Sequence, residues 1–278
     1  MERTGAPPAD APVLQQTQAA FDPLNFVAPT EVVDLPSKGI GYPKGHPLHG
    51  KETIEIRYMT AKQEDILTSQ SLIKKGIVLE RFMQSIIIDQ NIKSEDLFVG
   101  DRNAILIAAR ISGYGAEYES RVSCPACGET SKFTFDLNDQ KVHESQTAED
   151  INLSVVDDGL FQTTMPYCKF NIKFKLLTGR DETYLSKLAQ NKRKGKLQET
   201  TLTDQMKRLI VSIEGHEDQQ IINKFVDNMP TLDSAHLRTC YKLANPDVKV
   251  TNEYTCPSCG HQEGMEVPFG ADFFWPER

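Results

Sequence analysis

The sequence has 278 residues, 39% of them hydrophobic and 25% charged, with a net charge of −8 and a pI near 5.3. This length and apolar content suffice for one large core or two smaller ones. No run approaches eighteen apolar residues and the N-terminus lacks an apolar stretch, which argues against a membrane span and a signal peptide and indicates synthesis in a cytosol. The acidic balance argues against nucleic acid as the main partner, because phosphate binding requires concentrated positive charge.

Residues 1–30 are rich in Pro, Ala and Gln and carry only sparse apolar anchors, Phe21, Leu24 and Phe26 among them. A segment of this composition buries too little apolar surface to fold alone. We therefore expect residues 1–30 to form an extended N-terminal arm rather than a domain.

Residues 31–137 are predicted to form a first half of strands and helices. Alternating apolar residues predict a strand over 53–59, and Thr60 with Gln63 three residues later forms a capping-box pattern for a helix that continues to Gly76. Further helices are predicted over 77–88 and 102–111, and strands over 118–122 and 132–135.

A polar, acidic linker over residues 138–150 is predicted to lead into a second half, residues 151–278, in which the same order recurs. Residues 168–176 alternate as a strand, and Thr178 is placed to begin the next helix. Three segments with helical apolar periodicity follow, within residues 202–213, 221–226 and 232–243. A strand then begins near Val248.

Each half ends in a Cys-Pro-x-Cys-Gly sequence, which we call a knuckle: Cys124 to Gly128 in the first half and Cys256 to Gly260 in the second. In a knuckle, Pro favours the turn and Gly supplies the positive φ that lets backbone N–H groups face the two sulfurs. Both knuckles lie between strand-like runs, as in a zinc ribbon. Disulfides, a redox pair and a lost site are the alternatives.

Together the knuckles offer the four thiolates of a tetrahedral zinc site, Cys124, Cys127, Cys256 and Cys259. The reduced thiols of a cytosol favour Zn²⁺ over disulfides. A ribbon usually holds its cysteine pairs some fifteen to twenty residues apart, whereas residues 128–255 separate these. We therefore predict a split zinc ribbon whose metal closes a long loop.

The parallel order of elements predicts an internal duplication, with two unrelated αβ segments as the alternative. The fold class predicted is α+β: helical bundles with short antiparallel strands, and the halves meeting about a pseudo-two-fold axis at the metal.

Evidence for catalysis or a small-molecule substrate is lacking in the sequence. No nucleophile elbow, Walker loop or HExxH motif is present, and a site with four thiolates has no open position for water. His236 and Cys240 lie four residues apart on a predicted helix and therefore share a face, as metal ligands do. We favour the alternative, a buried thiol beside a histidine whose hydrogen bonds are satisfied. The basic run over 192–196 is interpreted as a solvated loop.

The first half carries a series of short motifs in a fixed order. They are Leu35-Pro36-Ser37-Lys38-Gly39, Met59-Thr60-Ala61 with Glu64-Asp65-Ile66-Leu67, Gly100-Asp101-Arg102, and Gly113-Tyr114-Gly115 with Tyr118 and the knuckle at Cys124. In this order they resemble the T4-like bacteriophage baseplate protein family, whose members are hub components or hub-assembly factors of contractile tails. The resemblance covers residues 31–135 well and the second half loosely. It implies a structural or assembly role in the virion tail, after assembly in the host cytoplasm, with other phage baseplate or tail proteins as partners.

The alternative function is a cytosolic zinc-ribbon adaptor that binds nucleic acid or a replication or transcription partner; the acidic charge favours the baseplate interpretation. The chain ends with three adjacent aromatics, Phe273, Phe274 and Trp275. They are predicted either to fold back onto the ribbon of their own chain or, with the arm, to dock on neighbouring tail subunits.

Overall fold

A computed structural model describes residues 28–156, 159–267 and 271–274; the arm anchors Phe21, Leu24 and Phe26, and also Trp275, lie outside the described residues. The described residues form an α+β fold of helices and four small antiparallel sheets. The helices are α1 (Ala61–Thr68), α2 (Gln70–Lys75), α3 (Val78–Ile86), α4 (Val99–Tyr114), α5 (Gly179–Lys194), α6 (Thr201–Leu209), α7 (Gln219–Asp227) and α8 (Thr231–Ala244). The strands are β1 (Thr30–Asp34), β2 (Thr53–Arg57), β3 (Glu117–Ser123), β4 (Thr130–Asp136), β5 (Gln140–His143), β6 (Ser154–Val155), β7 (Phe161–Thr164), β8 (Asn171–Phe174), β9 (Ile210–Ile213), β10 (Asp247–Thr255) and β11 (Gln262–Glu266).

The first half begins with the antiparallel pair β1–β2, in which Ile54 and Ile56 point into the core. The capping box predicted at the start of α1 is present, with Gln63 Oε1 accepting the backbone N–H of Thr60 at 3.1 Å. The helix predicted to reach Gly76 is interrupted, because Ser69 adopts an extended conformation (φ −64°, ψ 104°) that ends α1 and precedes α2.

Helix α4 runs through the core, and many of its residues are buried, among them Ala104, Ile105 and Ile107. It packs against β10 of the second half as well as against β1 and α3. Gly100 allows this contact, because a Cβ there would lie 2.1 Å from the carbonyl oxygen of Pro246. The helix thus joins the two halves.

The second half is built on the four-stranded sheet β6-β7-β8-β9, in which all neighbours are antiparallel. The prediction of continuous helix over 202–213 is wrong at its end: α6 stops at Leu209, and residues 210–213 form β9 beside β8. The apolar periodicity of this segment fits a helix as well as a strand. Pairing with β8 buries Ile210, Ser212 and Ile213, and the segment is therefore a strand.

Residues 138–150, predicted as a linker, include β5, which pairs with β10 in the sheet β11-β10-β5. None of the helices in the described part of the chain is long and apolar enough to cross a membrane.

The C-terminal aromatics Phe273 and Phe274 are buried against the first half of their own chain. The ring of Phe273 lies 5.2 Å from that of Tyr118 on β3, and the ring of Phe274 lies 4.7 Å from that of Phe82 on α3. The buried guanidinium of Arg110 donates from Nε to the carbonyl oxygen of Phe273 at 3.3 Å. Both residues therefore fold back onto their own chain, but only Phe273 packs on a strand of the predicted ribbon; Phe274 packs on helix α3 instead.

Candidate metal centre

The first knuckle is the turn between the paired strands β3 and β4. The backbone N–H of Cys124 donates to the carbonyl oxygen of Glu129 at 2.8 Å, and the N–H of Gly128 donates back to the carbonyl oxygen of Cys124 at 2.8 Å. Gly128 has φ +74°, a conformation that residues with a Cβ rarely adopt. Both cysteines of this knuckle therefore project from one tight turn.

The second knuckle repeats this geometry between β10 and β11. Cys256 donates its N–H to the carbonyl oxygen of His261 at 2.8 Å, Gly260 donates to the carbonyl oxygen of Cys256 at 3.0 Å, and Gly260 has φ +72°. The hairpin context predicted for both knuckles is thus present.

The two turns face each other, and all four sulfurs lie within 4.8 Å of one another. Sγ of Cys124 lies 3.7 Å from Sγ of Cys259, and Sγ of Cys127 lies 3.7 Å from Sγ of Cys256. A tetrahedral Zn²⁺ with Zn–S bonds of ~2.3 Å separates its sulfurs by about 3.8 Å. The four free thiols therefore match the dimensions and the ligand type of a structural zinc site.

The surroundings of the sulfurs are apolar on the inner side and open on the outer side. Cys124 and Cys256 are 2% exposed, whereas the second cysteine of each knuckle is exposed. The ring of Phe133 meets that of Tyr254 edge to face at 5.4 Å, and the hydroxyls of Ser131 and Tyr254 lie 2.8 Å apart. This packing holds the two hairpins together beneath the sulfurs.

The backbone of the second knuckle favours a thiolate. The pKa of Cys256 is lowered to about 6, mainly by the N–H of Cys259, against burial and with help from the N–H of Ser258. The pKa of Cys127 is instead raised to about 12: the N–H of Glu129 acts to lower it, but the sulfur of Cys259, burial and the other two sulfurs outweigh that effect. Four thiolates without a cation repel one another, and a bound dication removes that repulsion.

The other residues considered from the sequence do not join the metal centre. His261 lies 3.5 Å from Glu263 and outside the group of four sulfurs. His236 Nε2 contacts Thr163 Oγ1 at 2.9 Å and Cys240 Sγ at 3.5 Å, so the pair forms a small polar contact in the core, where Cys240 is fully buried. The interpretation of the basic run as a loop is wrong at its start: residues 192–194 form the last turn of α5, where Lys192 pairs with Asp204 at 2.6 Å.

Two buried aspartates lie at matching places upstream of the knuckles. From the sequence, Asp101 was named only as part of a family motif, and Asp233 was not named. Asp101 on α4 accepts the N–H of Ser37 at 3.0 Å, the hydroxyl of Ser37 at 2.7 Å and that of Tyr42 at 2.7 Å. Burial raises the pKa of Asp101, although these hydrogen bonds act to lower it. Asp101 thereby fixes the β1–β2 loop to the start of α4.

Asp233 does the same for the second half. It is fully buried near the start of α8 and accepts the N–H groups of Tyr167 at 2.7 Å and Cys168 at 3.1 Å, both in the β7–β8 loop. Each aspartate is the third residue of its helix. Each also accepts the N–H of a residue that directly follows a proline, Ser37 in the first half and Tyr167 in the second.

The sequence contained one signal for these residues: Asp101 precedes Cys124 by 23 residues, and Asp233 precedes Cys256 by 23 residues. This equal spacing is visible only if the knuckles are used to align the halves. An alignment on Thr60 and Thr178 places the two aspartates out of register, because the segments between cap and aspartate differ in length.

We compared the chain with known proteins. No curated protein and no solved structure matches it. A family model described as "T4 bacteriophage base plate protein" matches residues 31–275. The match spans both halves and both knuckles, and it therefore extends the resemblance into the second half, where the motifs were weaker. The chain belongs to the T4 bacteriophage base plate protein family.

Proposed function

We propose that this protein is a non-catalytic structural or assembly component of the hub region of a contractile phage tail baseplate, stabilised by one structural zinc ion. The observation that carries the proposal is the family match over both halves. The order of short motifs between Leu35 and Tyr118, which resembles hub and hub-assembly proteins, supports the hub as the location.

The proposed zinc ion is held by Cys124, Cys127, Cys256 and Cys259, and its role is mechanical. It bridges two hairpins that belong to different halves of the chain, and the sulfur spacing of 3.7 Å across the halves supports this role. With four thiolate ligands the ion has no open position for a substrate.

We further propose that the halves arose by duplication. The two knuckles have the same hydrogen bonds, and the two buried aspartates bind equivalent loops from equivalent helix positions. A pseudo-two-fold relation at the metal is supported by the sulfur pairs, since exchanging the knuckles exchanges one 3.7 Å pair with the other.

In the proposed assembly role, the N-terminal arm and Trp275 dock on adjacent tail subunits. Aromatic anchors such as Phe21, Phe26 and Trp275 commonly dominate the energy of protein interfaces. The two folded halves, joined by the metal, then form the rigid domain from which these segments reach a neighbouring subunit.

The experiment is complementation of a phage that lacks this protein with the full chain or with a chain lacking residues 1–30. We expect the truncated protein to fold and bind zinc but to be absent from baseplates, with a loss of infectious particles. A normal yield of particles with the truncated protein contradicts the role of the arm. Failure of the full-length protein to copurify with any tail protein during infection contradicts the baseplate function itself.

A further inference from the structure

One of the contacts between the halves joins the start of α5 to the segment before α4, and the equivalent segments, the start of α1 and the residues before α8, are exposed or half-buried. We propose that these exposed faces bind each other between two copies of the chain, head to tail. The proposal rests on the duplication put forward above and adds a second copy of the chain as a partner. It does not extend the pseudo-two-fold relation of the knuckles to the whole halves, because that relation would pair the start of α1 with the segment before α8 inside one chain, whereas Ala61 and Lys62 are exposed.

The contact within the chain is made by the start of α5 in the second half and the segment before α4 in the first. The N–H of Gly179 donates to the carbonyl oxygen of Leu97 at 3.1 Å, and the backbones of Phe98 and Thr178 form an antiparallel bridge. Two ion pairs flank this contact: Arg180 with Glu95 at 2.6 Å, and Arg102 with Glu182 at 3.0 Å.

The start of α1 in the first half carries the same kinds of residue as the start of α5. A capping threonine is followed by a small residue, a basic residue, a capping-box partner and a glutamate: Thr60-Ala61-Lys62-Gln63-Glu64 matches Thr178-Gly179-Arg180-Asp181-Glu182. Ala61, Lys62 and Glu64 are exposed. One of the two faces needed for the contact is thus available on the first half.

The second face lies before α8. Aligning Asp233 with Asp101 places Met229 and Pro230 where Leu97 and Phe98 lie in the first half. Leu97 and Phe98 are buried, whereas Met229 and Pro230 are only half-buried, and Leu232 beside them is 59% exposed.

These two exposed faces are complementary in charge. The alignment places Asp227 at the position of Glu95, and Lys62 stands at the position of Arg180, so the ion pair of the internal contact recurs as Lys62 with Asp227. Asp227 pairs with Lys207 through Oδ1, and its side chain remains 55% exposed.

They are also complementary in size. A Cβ at Gly179 would lie 2.3 Å from Nη1 of Arg102, so any side chain there requires the guanidinium of Arg102 to shift. Ala61 replaces this glycine, and the smaller Ser234 stands at the position of Arg102, which leaves space for the extra methyl group.

A contact that uses two different faces leaves both faces free at the ends of the assembly, so it produces rings or open chains rather than closed pairs.

Sedimentation velocity on the full-length, zinc-loaded protein at a series of concentrations tests whether the chain associates. We expect reversible, concentration-dependent association. Lys62→Glu or Asp227→Lys alone should weaken it at least about tenfold through like-charge contact, and the double variant should restore it. Lys187→Glu on the exposed middle of α5 makes the same charge change as a control.

A second variant separates the contact from folding. Ala61→Pro removes the N–H that is equivalent to that of Gly179, and proline is tolerated at the first position of a helix after an extended residue such as Thr60 (ψ 172°). We expect unchanged helicity and zinc content with weaker association.

A monomer at every concentration, or association that ignores all these variants, overturns the proposal. Normal incorporation of Lys62→Glu into baseplates reports on the baseplate function separately, because that function does not require the head-to-tail contact.

Discussion

At the scale of single residues, Asp101 and Asp233 show how one buried carboxylate orders a loop. Asp101→Ala leaves the N–H and hydroxyl of Ser37 and the hydroxyl of Tyr42 without their acceptor, and unsatisfied buried groups cost about 1–3 kcal/mol each. We expect a loss of roughly 3 kcal/mol in the free energy of unfolding, measured by urea denaturation.

The controls for this prediction are graded. Tyr42→Phe removes one donor to Asp101 and also the acceptor of the buried N–H of Phe98, so it should cost about 2 kcal/mol. Asp65→Ala on the exposed side of α1 should cost little. Equal stability of Asp101→Ala and the wild-type protein is the contrary result.

Asp181 makes the stability of the second half depend on pH. Its carboxylate accepts Nζ of Lys175 at 2.7 Å and Nε of Arg208 at 2.6 Å. Burial opposes ionisation, but these partners and the N–H of Thr178 outweigh it, so the pKa of Asp181 lies below its usual value of 3.8. Because the folded pKa is lowered, the stabilisation is present above about pH 4 and is lost as the pH falls through the folded pKa.

Asp181→Asn should therefore destabilise the protein by about 2 kcal/mol at neutral pH. The difference from the wild-type protein should shrink below about pH 4, as measured by thermal unfolding at several pH values. A difference that stays constant across this range contradicts the assignment.

At the scale of elements, the C-terminal aromatics are part of the core of the first half. Phe274 is fully buried against Phe82, so Phe274→Ala should cost about 3–5 kcal/mol through lost contacts and a cavity. The exposed Leu197→Ala is the matched control. Chemical denaturation measures both, and similar midpoints for the two variants contradict the burial of Phe274.

The elements that local patterns predicted are those whose residues specify them locally. The capping box at Thr60 and Gln63 and the hairpins around the knuckles follow from turn and cap chemistry within a few residues. Strands β5 and β9 were missed, because each is short and is stabilised by pairing with a strand distant in sequence or by a sheet already formed. The burial of the two aspartates was missed for a related reason: a polar residue in a helix gives no local sign that a loop will cover it.

At the scale of the whole molecule, the proposed zinc ion holds the two halves together. Cys256→Ser removes one of four ligands and leaves three thiolates close together. Structural zinc in small domains supplies an apparent ~10–16 kcal/mol of binding energy, so the variant should lose the metal and much of the order of the second hairpin. Elemental analysis and hydrogen exchange measure these effects.

Cys168→Ser is the control for this prediction, since Cys168 lies outside the group of four sulfurs. It should keep one zinc per chain. Wild-type protein purified without chelator that contains no metal contradicts the zinc assignment for all four cysteines.

The wide separation of the two knuckles along the chain also has a consequence for the timing of synthesis. Cys127 and Cys256 are 129 residues apart in the chain. At a synthesis rate of about 5–20 residues per second, Cys127 waits roughly 6–26 s for Cys256 to be made. The proposed metal centre can therefore close only after Cys256 has been made. Any surface that depends on the closed centre is absent until then, so a chain still short of the second knuckle cannot present it to a growing tail.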